Sequence, residues 1–158
     1  MKEKKPLSKF QIVILVGFLV STVVLFFLNM RQTSEWIRLG DEVLHVLIAD
    51  TPQETFKGLS DRKDLGDYDG MLFVFGSPKR AGIVMRDMRF PLDIIWIGSD
   101  LRIVDMVQNV QLETGDSEED LTVYYPRTEV PFVLEVPAGF VQRTGLKIGD
   151  ILSVVETP

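Results

Sequence analysis

The chain has 158 residues, 17 of them basic and 23 acidic, with one histidine and no cysteine. These counts exclude disulfides, thiol nucleophiles, thiolate metal sites and cysteine lipidation, and no multi-histidine metal site can form within one chain. The acidic excess argues against nucleic acid as a partner.

Residues 1–9 carry Lys2, Lys4, Lys5 and Lys9 against Glu3 alone. Phe10 to Leu28 then reads FQIVILVGFLVSTVVLFFL, nineteen residues without a formal charge. As a helix this run would rise ~28 Å, close to the thickness of a bilayer's hydrocarbon core. The expectation is an uncleaved transmembrane anchor over 10–28 that contacts the lipid bilayer. The basic flank would keep residues 1–9 in the cytoplasm and place the rest of the chain on the extracytoplasmic side of the cell membrane. A cleaved signal peptide is the rival reading, but its apolar region spans only about 7–15 residues before a small-x-small site. Residues 29–35 read as a linker and 36–158 as one domain. With Lys2, Glu3, Lys4, Lys5, Lys9 and Arg31 set aside, 12 basic and 22 acidic residues remain, a net charge of −10.

Glu35 to Asp50 reads as a hairpin turning at Gly40-Asp41. Thr51-Pro52-Gln53-Glu54 is a helix start, with Thr51 as N-cap, Pro52 at N1 and Glu54 completing a capping box; Gly58 ends the helix within two turns. Met71 to Phe75 is a buried strand. Further strands are expected over Ala81–Met85, Leu92–Ile97, Leu101–Val110, Val130–Val136 and Ile151–Glu156. A long loop covers Gln111–Arg127, and one helical turn Phe140–Thr144. Short strands without a βαβ rhythm imply an α+β domain, mainly antiparallel, forming a small, partly closed β-barrel-like sheet with short helices.

Five stretches, TPQETFKGLSDR, GMLFVF, MRDMRFPLDIIWI, VLEVPAGF and LKIGDIL, resemble the "domain of unknown function 192" family in order and spacing over Asp41 to Val155. The resemblance implies a compact β-rich domain and carries no biochemical activity with it. The chain departs from the family pattern at Ile83-Val84-Met85 before Arg86-Asp87, where an aromatic-Trp-Met and a Lys-Asn or Lys-Asp pair are usual. It departs again at ETGDSEEDLTVYYP, where a Pro-rich, Tyr-containing loop is common.

Polar residues embedded in apolar strands are the candidates for chemistry. Asp93 in PLDIIWI and Glu135 in PFVLEV are each costly to bury without a partner. Arg62 and Arg86 are the cations placed to answer them, with Asp87 as a further carboxylate, so Asp93, Glu135, Arg62, Arg86 and Asp87 form the candidate cluster. His45 reads as a structural strand histidine. Asp64, Asp67 and Asp69 do not complete a calcium loop, because Leu65 and Gly76 occupy the positions needing Asp and Glu. The acidic stretch Glu113–Asp120 reads as a solvated loop. No nucleophile elbow, P-loop or dinucleotide fingerprint is present, and no cofactor or metal is expected. The function expected is a membrane-tethered binding or interaction module for an envelope ligand or protein. The alternative is an envelope enzyme with a paired-carboxylate site at Asp93 and Glu135.

Overall fold

The computed structural model describes residues 8–29, 33–113 and 118–156, with the side chains of residues 23–29 and 118 left aside. The chain divides into two compact units, Met1–Gln32 and Thr33–Pro158. Residues 1–7 of the expected basic terminus, 30–32 of the expected linker and 114–117 of the acidic stretch lie outside the described residues.

The first unit holds one helix, α1 (Lys9–Asn29). Ser8 and Gln11 cap its start reciprocally: the Ser8 N–H donates to Gln11 Oε1 at 2.9 Å and the Gln11 N–H to Ser8 Oγ at 3.3 Å. Among the described residues no helix is long and apolar enough to cross a membrane. That finding overturns the anchor expected over 10–28, and with it the cytoplasmic N-terminus and the extracytoplasmic placement.

The second unit contains β1 (Ser34–Leu39), β2 (Glu42–Ala49), α2 (Pro52–Lys57), β3 (Gly70–Lys79), β4 (Leu92–Ile97), β5 (Ile103–Val110), a 3-10 turn (Glu118–Asp120), β6 (Val130–Pro137), α3 (Phe140–Thr144) and β7 (Leu152–Val154). The strands form one sheet in the order β5-β4-β6-β3-β2-β1-β7. β1 and β2 make the expected hairpin, turning at Gly40 in the left-handed region (φ 60°). α2 carries the full capping box, Thr51 accepting from the Glu54 N–H.

The sheet is mixed. β2 and β3 pair in parallel, Val46 opposite Gly70 through Ala49 opposite Phe73. α2 and the loop after it carry the chain back across the sheet, so one βαβ crossover exists where none was expected. Ala81–Met85 is not a strand: Ile83 makes a single bridge with Tyr124. The Trp96 indole N–H pins this segment by donating to the Ala81 carbonyl at 3.1 Å. At one corner the two edges of the sheet meet. Arg102 bridges Ile151, and Ile103 and Leu152 donate to the carbonyls of Asp150 and Leu101. The result is a half-barrel, hooked shut at that corner.

The half-barrel has two cores, one on each face. Ile37, Leu39, Val46, Ile95, Leu134 and Val136 fill its concave side, closed at one end by Phe140 and Val141 of α3. Met71, Phe73, Ile94, Trp96 and Val133 face outward and are covered by Leu59 and Met85 from the irregular segments. Both faces of β4 are therefore buried, which is why LDIIWI lacks the polar alternation of a half-exposed strand.

Gly70 sits where β3 passes β6. A Cβ there would stand 2.3 Å from the Glu135 carbonyl oxygen and 2.9 Å from Val136 Cγ1. Gly70→Ala is expected to cost about 3 kcal/mol, because the obstacle is sheet backbone that cannot move aside. A urea-unfolding midpoint equal to that of the wild type would refute this.

Candidate functional site

On β6 the side chains alternate: Val133 and Glu135 face the outer core, Leu134 and Val136 the concave one. Glu135 lies opposite Met71 of β3 and Ile94 of β4, both fully buried. The strand geometry thus drives a carboxyl into an apolar layer, where it is only 5% exposed. Burial pushes its pKa up to about 8, so it carries its proton at neutral pH. Among the described residues no hydrogen-bond or ion-pair partner reaches it, and burial is the whole cause of the shift.

The carboxyl opens into a cavity of about 290 Å³. The end of α2 and the turn after it form one wall, with Phe56, Lys57 and Ser60; the 82–88 segment forms the other, with Ile83, Arg86 and Met88. The two walls are tied together. The Arg86 guanidinium donates to the Phe56 carbonyl and stacks 3.9 Å from the centre of the Phe56 ring. Ser60 Oγ donates to the Arg86 carbonyl at 2.8 Å.

Of the five candidates, Glu135 and Arg86 meet at this cavity and the others do not. Asp93 projects from the opposite, concave face of the sheet, with Ile95 and Ile97. It is fully buried and accepts from the Asn109 N–H at 2.7 Å and the Val141 N–H at 2.9 Å. Gly139, the N-cap of α3, has no side chain to cap the helix, so Asp93 supplies that acceptor from a distant strand. Arg62 lies in the turn after α2, its N–H donating to the Leu59 carbonyl. Asp87 adopts φ 51° and its carbonyl accepts from the Asp61 N–H. Neither lines the cavity.

His45 is packed between rings, 4.6 Å from Trp36 and 4.7 Å from Tyr68, with Nε2 3.0 Å from Ser34 Oγ. Among the described residues no group of three His, Asp or Glu is arranged to hold a metal. Another cavity, about 320 Å³ and lined by Tyr68, Phe90 and Phe140, also contains Asp64 and Asp69. Those two carboxylates are already engaged, by the Gly66 and His45 N–H groups respectively. The residues that sequence reasoning missed, Lys57, Ser60 and Met88, gather only because the 82–88 segment folds over α2. The helix end at Gly58 was the one signal pointing to that wall.

Residues 35–154 match the family model DUF192, described as "Uncharacterized ACR". A UPF0127 protein of Thermococcus kodakarensis is 27% identical over 114 residues, 71% of this chain and 66% of the relative. One of Thermococcus gammatolerans is 28% identical over 111 residues, 69% of this chain and 65% of that protein. The chain therefore spans just under two thirds of the length of these curated relatives. Among solved structures, a protein of Sinorhizobium meliloti 1021, named as a candidate transcription regulator, superposes with a TM-score of 0.71 at 31% identity, covering 79% of this chain and 96% of its own. A protein of unknown function from Novosphingobium aromaticivorans gives 0.68 at 31% identity, covering 76% and 84%. The half-barrel, its outer layer and the family match agree, and the chain belongs to the DUF192 family.

Proposed function

We propose that the domain is a binding module that holds a small molecule in the Glu135 cavity. The observation that carries this reading is a carboxyl nine-tenths buried, without a partner among the described residues, and open to a cavity of fragment size. Leaving a carboxyl in that position costs stability, and a ligand that satisfies it recovers the loss. Two-carboxylate catalysis needs both groups about 5–10 Å apart over one cleft. Here Asp93 lies across the sheet and is committed to two backbone N–H groups, which favours binding over that chemistry.

Thermal unfolding of the full chain against a fragment library of acids, amines and neutral amides tests the proposal. Binding to the folded state alone raises the melting temperature. At least one chemical class is expected to do so in the wild type and to lose the effect in Glu135→Leu. The reading fails if no class shifts the transition, or if the shifts survive in both Glu135→Leu and Glu135→Gln.

A further inference from the structure

We propose that the ligand is an elongated dianion, with an acidic group at each end and an apolar middle, lying in a groove that runs from Glu135 to Lys79 and Arg80. This inference rests on the binding reading above and adds charge and shape to it.

The groove is continuous. A cavity of about 380 Å³ adjoins the Glu135 cavity and shares Thr55, Phe56, Phe73, Gly82 and Ile83 with it. Its far end is formed by Phe75, Lys79 and Arg80. Phe73 and Phe75, 6.5 Å apart, give this floor an apolar middle.

The charge of the groove runs against that of its surroundings. Acids outnumber bases 22 to 12 beyond the first unit, yet four bases line the groove (Lys57, Lys79, Arg80 and Arg86) and, among the described residues, Glu135 is its one acid. Among the described residues no carboxylate lies within ion-pair reach of Lys57, Lys79 or Arg80. The far pair is held in place by groups that leave its charge intact. The Lys79 ammonium sits 3.8 Å from the centre of the Phe75 ring. The Arg80 guanidinium donates twice to the Pro126 carbonyl, at 3.3 and 3.2 Å. At the near end Glu135, kept protonated by burial, is a hydrogen-bond donor to an anion while Lys57 supplies positive charge. A cationic ligand would meet the like charges of Lys57, Lys79 and Arg80 along the same path.

The test uses the full chain and calorimetric titration at constant ionic strength and pH 6.5. The probes are linear dicarboxylates and alkyl diphosphates of increasing length, the matching monocarboxylates and the matching diamines. One length in either dianion series is expected to bind about tenfold or more tighter than its single-headed counterpart, the contribution of a second charge-assisted contact. Lys79→Glu with Arg80→Glu, or Lys79→Gln alone if the double variant unfolds, is expected to remove most of that advantage. Tighter binding of diamines, equal binding of single- and double-headed acids, or an advantage that survives at Lys79 and Arg80 overturns the inference. If neutral or cationic fragments alone bind in a Glu135-dependent way, the dianion fails and the binding module stands. If no probe of any class binds, both fail.

Discussion

Glu135→Gln is expected to make the protein more stable, and increasingly so as the pH rises from 5 to 8. The sign follows from linkage. The Glu135 carboxyl titrates at 4.5 when unfolded and at about 8 when folded. Below pH 4.5 both states hold the proton and burial carries no ionisation penalty. Between pH 4.5 and 8 the unfolded chain releases it while the folded chain keeps it, and wild-type stability falls by about 1.4 kcal/mol per pH unit. By pH 8 the loss reaches about 5 kcal/mol, an upper figure because local relaxation reduces it. The charged groups facing Glu135 are Lys57 from α2 and Arg86 from the 82–88 segment; its neighbours on β3 and β4 are Met71 and Ile94. Glutamine keeps the shape and removes the titration. Urea unfolding of both proteins at pH 5, 6.5 and 8 reads the effect, and parallel pH profiles would refute it. A bound anion that takes the Glu135 proton as a hydrogen bond offsets part of the same penalty, so wild-type stability near pH 8 should respond to ligand more than that of the variant.

Asp93→Ala is expected to cost about 4 kcal/mol. The substitution strands the buried N–H of Val141, at about 1–3 kcal/mol, and removes the bond to the part-buried N–H of Asn109, at about 1–2 kcal/mol. It also loosens two local structures. Asn109 stands at φ 56°, a left-handed conformation the carboxylate holds in place. α3 loses the one side-chain acceptor that its N-terminus has among the described residues. Amide exchange should therefore rise most in residues 138–145, the segment that closes one end of the concave core. Asp93→Asn keeps one acceptor oxygen and is expected to cost about half as much. A midpoint for Asp93→Ala within about 1 kcal/mol of wild type would show that the two N–H groups find other partners.

Local chemistry was legible wherever a short segment decides its own conformation. The Thr51–Glu54 capping box, the Gly40 turn and the apolar run Met71–Phe75 all form where their residues demand. Glu135 and Asp93 were visible as misplaced polar groups because a carboxylate within a wholly apolar strand must be either satisfied or functional. Period-two spacing could not show that the two face opposite ways, since each strand was read alone and the register between β4 and β6 was unknown. Ala81–Met85 has strand composition and yet makes one bridge, because Trp96 and the 123–125 segment hold it over the sheet rather than in it. The parallel β2–β3 pair was hidden for a similar reason: a six-residue helix and the irregular loop after it conceal a crossover as easily as a hairpin. The nineteen uncharged residues from Phe10, behind a basic flank, invited a membrane span, and among the described residues no helix is long and apolar enough to cross one.

The chain by itself determined the family, the helix caps, the strand segments and the two carboxylates that need an account, because these depend on neighbours within a few residues. Only the tertiary structure decided what surrounds those carboxylates. Sheet register sent Asp93 to the concave face, where two backbone N–H groups satisfy it. The same register sent Glu135 outward, beneath α2 and residues 82–88, where it lines a cavity. Which of two similar acids is held by backbone N–H groups and which opens to a cavity depends on what lies across the strand, and that contact is long-range.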